Sequence, residues 1–155
     1  MIKLLHNVVF TLLALTCFSH IASAETSTPS NTTQASPFAH IPQDVPVVML
    51  NMLKFSESAH YDDTKVNMTG RQAYDKYREG ASKLVAKVGA KRLWIGNVKA
   101  GIISPSDEQW DEVFLVQYPS IGVFLKMVNS EAYKAVAIHR TAALDDSRLI
   151  AMIAK

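Results

Sequence analysis

The side chains of this sequence that are best suited to ligand chemistry are Asn51, Trp94, Trp110, His139 and Arg140. Asn51 interrupts an apolar, strand-like segment, where a buried amide without a hydrogen-bond partner costs about 1–3 kcal/mol. The partner of such an amide is usually another part of the protein, and the alternative is a bound ligand. Both interpretations of Asn51 stay open.

Arg140 is expected on the inward side of a helix, where a guanidinium needs an anionic partner. Within the protein, Asp145, Asp146 or Glu112 can be that partner, which is the simpler hypothesis. The alternative is a carboxylate or phosphate of a substrate, held by two parallel hydrogen bonds. His139 beside it is the candidate catalytic residue, as a general acid or base, because an imidazole exchanges its proton near neutral pH. A single helix histidine is more often structural.

Trp94 and Trp110 lie on predicted strands. Tryptophans on strands usually belong to a core or a dimer interface, and the alternative is a wall for a flat organic ligand. The segment at 60–63, with one histidine and two aspartates, matches no ligand spacing of a known metal motif. The sequence therefore predicts no metal site.

Missing motifs and a small net charge exclude several classes of protein. The sequence has no Gly-rich phosphate loop, G-x-S-x-G, H-E-x-x-H or C-x-x-C motif, so nucleotide-dependent transfer, serine esterase activity and zinc proteolysis are not expected. No cofactor is predicted. The formal net charge is only +2, which is too small for a dedicated nucleic-acid binder.

The N-terminal segment predicts export. Residues 1–24 combine an early lysine, an apolar run and a final Ala-Ser-Ala, which is typical of a cleaved signal peptide. The apolar run is much shorter than the roughly 20 residues that span a bilayer, so no stable membrane insertion is expected after cleavage. The Ser/Thr/Pro-rich residues 25–44 predict a flexible linker, and the folded domain is expected at 45–155 in a periplasmic or secreted protein.

Hydrophobic periodicity predicts the elements of this domain. In chain order they are a strand at 45–55, a helix that begins after Thr69 and stops at Gly89, strands at 92–103 and 110–118, helices at 121–128 and 131–144, and a strand at 148–153. Thr69 and Gln72 form a capping-box pattern, and Gly80 within the helix indicates close packing over it. This order predicts an α+β, ferredoxin-like βαββαβ fold, a four-stranded antiparallel sheet with its helices on one face.

The predicted strands are apolar on both faces, although the helices can cover only one of them. Each large apolar side chain left in water forfeits roughly 1.5–3 kcal/mol. We therefore expect a second copy of the chain to cover the open face, as a homodimer built sheet against sheet.

Several separated segments carry a resemblance to a known family. They are VVMLNMLKF (47–55), GRQAYDKY (70–77), WDEVFLVQYPS (110–120) and YKAVAIHRTAALDDSRLIA (133–151). The domain resembles the domain-of-unknown-function thirteen-thirty family of the dimeric α/β-barrel superfamily. The resemblance implies the ferredoxin-like fold and the paired-sheet dimer, and it implies no reaction.

The sequence thus predicts an exported homodimeric domain that binds a small organic ligand in a pocket between sheet and helices. The ligand is anionic if Arg140 contacts it, and Asn51, Trp94 and Trp110 are the other predicted binding residues. Two alternatives remain. One is a cofactor-independent enzyme, such as a small monooxygenase, that uses His139, and the other is a structural or interaction module.

Overall fold

A computed structural model describes residues 38–62 and 66–155 of the protein. Its elements are β1 (Val47–Phe55), α1 (Gly70–Lys87), β2 (Lys91–Asn97), β3 (Glu112–Tyr118), α2 (Ile121–Val128), α3 (Glu131–Ala143) and β4 (Leu144–Met152). The predicted signal peptide and most of the predicted linker lie outside the described residues. None of the helices in these two ranges has the length and hydropathy that a bilayer-spanning segment needs.

The strands form one four-stranded sheet in the order β2-β3-β1-β4. Every neighbouring pair is antiparallel, so the two strands at the centre are flanked by edge strands β2 and β4. Together with the helices on one side, this topology confirms the predicted α+β, ferredoxin-like fold.

Helix α1 begins and ends where the sequence predicts. Thr69 caps it, with its hydroxyl accepting from the backbone N–H of Gln72 while the Gln72 side chain accepts from the backbone N–H of Thr69. Gly89 just beyond its end has a φ of 74°, a conformation that favours glycine. A β-carbon at Gly80 would lie only 2.5 Å from Cγ1 of Val136, so α1 and α3 pack closely at this point.

The second strand is shorter than predicted. β2 covers Lys91–Asn97 rather than 92–103. Its last residue, Asn97, pairs with Glu112, which is the first residue of β3. Residues beyond that pair have no neighbouring strand in the described sheet, and Ile102 and Ile103 are 89% and 98% exposed. Their β-branched side chains favour a strand, but backbone pairing decides where a strand ends.

The last strand starts earlier than predicted. β4 begins at Leu144, directly after α3, whereas the sequence indicated a start at residue 148. The polar run Asp145–Ser147 resembles a turn, yet it pairs with β1, with Asp146 opposite Lys54. An edge strand tolerates Asp145 and Asp146 because their exposed side chains reach solvent, whereas the part-buried hydroxyl of Ser147 has a hydrogen-bond partner in Arg140.

Two separate hydrophobic clusters hold the helices on the sheet. The first consists of Val47, Met49, Ala90, Val116, Tyr118, Ile121, Phe124 and Met127. The second consists of Leu53, Ala73, Tyr74 and Ala143. Phe38 and Ile41, from the end of the segment predicted as linker, pack against the first cluster. The helix-facing side of the sheet is therefore packed at two places, and the gap between them is bridged by Phe114, which packs against both clusters.

Candidate functional site

A cavity of about 570 Å³ lies between the sheet and the helices. Four of its lining residues form one row of cross-strand neighbours, which we call the cavity row: Ile95, Phe114, Asn51 and Leu149. On β1, Asn51 lies between Met49 of the first cluster and Leu53 of the second. The cavity thus occupies the gap between the two clusters.

The geometry of the helices explains why this gap stays open. Helices α1 and α3 pack on each other at Gly80 and Val136, while the two clusters fix the ends of the helix layer on the sheet. The residues at the two ends of the cavity row, Ile95 and Leu149, are 39% and 48% exposed. A ligand can therefore reach the row from solvent at the sheet edges.

Arg140 lines the cavity from α3, on the inward side as predicted. Its Nη2 atom donates a hydrogen bond to the hydroxyl of Ser147, 3.1 Å away on β4. Ser147 is opposite Leu53 on β1, so its side chain is on the helix-facing side of the sheet. The guanidinium is therefore held by a neutral hydroxyl.

The carboxylates that the sequence offered as partners of Arg140 are all engaged elsewhere. Glu112 pairs with Arg78 and Arg71, Asp146 pairs with Arg148, and Asp145 lies 3.6 Å from Nε2 of His60. In the described ranges no carboxylate forms an ion pair with Arg140, so the simpler hypothesis of an internal partner is wrong for these three residues. Among the described residues, Ser147 is its only hydrogen-bond partner, so the half-buried guanidinium at the cavity has N–H donors without a described partner.

Asn51 has a partner within the protein for only part of its amide. Its Nδ2 atom donates to the carbonyl of Met49 at 3.2 Å, which supports the structural interpretation. No described residue donates to its side-chain oxygen. Since Asn51 lines the cavity at the middle of its row, a ligand can meet that oxygen.

Two tyrosines line the cavity, and the sequence did not indicate that their hydroxyls are polar groups of the site. The hydroxyls of Tyr77 on α1 and Tyr133 on α3 are 3.0 Å apart. Burial raises the pKa of Tyr77 well above its usual value, the contact with Tyr133 raises it further, and the charge of Arg140 offsets a part. Both positions fit helical periodicity as apolar residues, and the only available signal was that a buried tyrosine usually finds a partner for its hydroxyl.

Neither predicted tryptophan lines the cavity. Trp94 lies on the opposite face of the sheet, 55% exposed, with its ring over Gly96. Trp110 lies under the guanidinium of Arg148, which is 5.0 Å from the ring centroid. Its indole nitrogen is buried and has no hydrogen-bond partner among the described residues.

His139 is half-buried and does not line the cavity, although Arg140 beside it does. Its Nδ1 atom is 2.7 Å from the hydroxyl of Tyr61, which comes from the segment between β1 and α1. Successive helix residues point about 100° apart, so the two neighbours face different surroundings. In the described part of the chain, no group of three or more His, Cys, Asp or Glu could hold a metal ion.

Solved structures with a similar fold include two of the RPA0582 protein of unknown function from Rhodopseudomonas palustris. Each is 35% identical, with TM-scores of 0.67 and 0.69, covering 71% and 74% of this chain and 82% and 83% of the other. The hydroxynitrile lyase of Passiflora edulis is 11% identical with a TM-score of 0.51 over 72% of this chain and 95% of its own, which shows the fold alone. None of the curated proteins matches significantly.

A family model described as Domain of unknown function (DUF1330) matches residues 54–153. The match runs from the end of β1 to the residue after β4 and so includes all three helices that line the cavity. It confirms the family that the sequence segments indicated. The chain belongs to the DUF1330 family.

Proposed function

We propose that this protein is an exported homodimer that binds a small organic ligand in the cavity between its helices and its sheet. The observation that carries the proposal is the cavity itself, about 570 Å³ in the gap between the two hydrophobic clusters. Sites for small organic ligands usually occupy about 300–1,000 Å³ and combine apolar walls with a few polar groups.

The lining of the cavity supports this function. Phe114 and Val116 provide apolar surface from the sheet, while Asn51 and Arg140 present polar groups whose hydrogen bonds are incompletely used by the protein. Polar groups with unused hydrogen-bonding capacity in a half-buried place cost stability, so a ligand that satisfies them binds with a specific orientation.

The opposite face of the sheet supports the homodimer. A second row of cross-strand neighbours, which we call the open row, consists of Trp94, Leu115, Leu50 and Ile150. Trp94 and Ile150 are 55% and 45% exposed in the single chain. Because a two-fold dimer places the same surface on both partners, this apolar face can be covered by its own copy.

Export rests on the signal-peptide pattern of residues 1–24. It predicts that the protein purified from its own host begins at Glu25, which the intact mass measures. Full-length protein retained inside the cell would contradict it.

The binding function is tested with N-phenyl-1-naphthylamine, a neutral fluorescent probe that consists of a naphthalene and a phenyl ring joined by an amine. We expect saturable fluorescence enhancement with the wild-type protein. Ser82→Trp places an indole in the lining of the cavity, and we expect it to weaken binding by roughly tenfold, since it removes space that the probe needs.

Lys83→Trp is the matched control. Lys83 is the next residue of α1, is also exposed and does not line the cavity, so its probe affinity should equal that of the wild type. Absence of saturable binding to the wild type, or equal binding by Ser82→Trp, would contradict the proposed function.

A further inference from the structure

Resting on the proposed function, we infer that the ligand of this cavity is a monocarboxylate with an apolar body of about bicyclic size. Its carboxylate lies at the β4 end of the cavity row, against Arg140, and its body extends over Phe114 toward Ile95 at the β2 end. Charge, hydrogen-bond donors and the shape of the cavity each point to this chemistry.

The balance of charge in the cavity selects the end that takes an anion. Arg78 also lines the cavity, but its guanidinium is 2.7 Å from Glu112 and 2.8 Å from Asp75, so its charge is compensated. Arg92 is exposed and lies on β2, the strand at the other edge of the sheet from β4. Arg140 is thus the half-buried cation of the lining whose charge no described carboxylate compensates.

The hydrogen-bond donors around Arg140 match a carboxylate. The hydroxyl of Ser147 accepts from Nη2 of Arg140 and fixes the guanidinium, while its other N–H groups stay available. In the Tyr77–Tyr133 pair one hydroxyl donates to the other, so the proton of the accepting hydroxyl has no described partner. A guanidinium and a phenol O–H together supply donors for both oxygens of one carboxylate.

The rest of the cavity row favours an apolar body. Between the polar end and the β2 edge, the floor consists of Phe114 and Ile95, with Val116 beside them. Four strands spaced about 4.8 Å apart give a row of roughly 14 Å, which is long enough for a bicyclic ring system with its carboxylate. A phosphate monoester is the poorer match, because its two negative charges would meet one uncompensated guanidinium.

The test compares three probes that share a naphthalene body, measured by displacement of N-phenyl-1-naphthylamine at pH 8. The probes are naphthalene-2-carboxylate, the neutral naphthalene-2-carboxamide and the dianionic 2-naphthyl phosphate. We expect the wild-type protein to bind the carboxylate at least about tenfold more tightly than the carboxamide. The reason is that the carboxylate forms a charge-assisted hydrogen bond with Arg140, which the neutral carboxamide does not. The phosphate should bind no more tightly than the carboxylate.

Arg140→Gln should reduce the preference for the carboxylate over the carboxamide to less than about threefold. Lys134→Gln is the control, since it removes one positive charge from the exposed side of the same helix, and it should keep the full preference. Ser147→Ala releases the guanidinium without removing it and should give an intermediate preference. The wild-type preference itself does not depend on whether any variant folds.

Equal binding of carboxylate and carboxamide by the wild type would overturn the inference, as would an unchanged preference in Arg140→Gln. Tighter binding of the phosphate than of the carboxylate would also overturn the inference, because the site would then prefer a dianionic ligand to a monocarboxylate. If the neutral fluorescent probe binds and no charge preference is found, only this inference fails. If that probe does not bind at all, the proposed function fails first.

Discussion

The two faces of the sheet have different surroundings in this protein, although their side chains alternate along the same strands. The cavity row (Ile95, Phe114, Asn51, Leu149) faces the helices, and the open row (Trp94, Leu115, Leu50, Ile150) faces away. The row beneath the helices contains an amide at its centre, whereas the row with no cover in the single chain is entirely apolar. This distribution is the reverse of what burial by the chain's own helices would require.

This reversal indicates that the composition of each face is set by more than the folding of the single chain. An apolar row in water costs roughly 1.5–3 kcal/mol for each large side chain, which indicates a protein surface that is covered after folding. An amide and a guanidinium beneath the helices indicate a space reserved for something polar at one end. Substitutions in each row can test this assignment of the two faces.

The largest effect is expected from a charge on the open row. Ile150→Glu places a carboxylate in the proposed sheet-to-sheet interface of both copies, and burying it without a partner should raise the dimer dissociation constant by on the order of 100-fold or more. Sedimentation velocity at micromolar concentration measures the change. Leu149→Glu is the matched control, because Leu149 is the preceding residue, is 48% exposed against 45% for Ile150, and faces the cavity. Dissociation of both variants to the same degree would contradict the assignment.

Exchanging the central residues of the two rows should change stability unequally. Leu50→Asn removes apolar surface from the open row and should lower the free energy of unfolding by about 2–3 kcal/mol. Asn51→Leu gives up one hydrogen bond to Met49 and gains apolar contact, so the free energy of unfolding should change by less than about 1 kcal/mol while ligand affinity falls. Urea unfolding of the unliganded proteins measures both, and a larger loss for Asn51→Leu than for Leu50→Asn would refute the comparison.

A smaller effect is expected where the helices meet above the cavity. Gly80→Ala places a methyl group 2.5 Å from Cγ1 of Val136, which should outweigh the better helix propensity of alanine and destabilise the protein by roughly 1–2 kcal/mol. In the double variant Gly80→Ala/Val136→Ala the clash is gone, so stability should exceed that of Val136→Ala alone. Thermal unfolding of the four proteins checks this, and a stabilising Gly80→Ala would show that α1 and α3 do not pack closely here.

Alkaline pH should act mainly on the helix-facing side, where the buried phenols lie. Burial raises the pKa of Tyr118 to about 12 and raises that of Tyr74 further. The folded state therefore holds these protons more tightly than the unfolded state, and stability should fall as the pH rises from about 10 to 12. Tyr118→Phe should make this fall less steep in urea unfolding at a series of pH values. A stability that is constant up to pH 12 would contradict the burial of these phenols.

Much of the fold could be predicted because local signals and the topology agree. The capping box at Thr69 and the glycine at Gly89 mark both ends of α1, and a continuous apolar run predicted β1. The limits of β2 and β4 could not be predicted, because they depend on which neighbouring strand is present to pair with them.

The candidate site was only partly predictable for a similar reason. Asn51 and Arg140 stood out as polar residues among apolar ones, and both line the cavity. The pair of Tyr77 and Tyr133 was missed because the two tyrosines are 56 residues apart in sequence and meet only when α1 packs on α3. Trp94 proved to lie on the other face, where a β-bulge between Arg92 and Trp94 sets the register of β2.

We expect the ligand to bind at the cavity row and to leave the open row free. The most direct measurement is a ¹³C methyl NMR titration with naphthalene-2-carboxylate. The residues compared are Leu149 and Ile150, adjacent in sequence and on opposite faces of β4, together with Ile95 on the cavity row and Leu115 on the open row. We predict saturable shifts of the Leu149 and Ile95 methyl signals with little change at Ile150 and Leu115. Shifts confined to Ile150 and Leu115 would contradict the account, because the ligand would then bind the face assigned to the second copy.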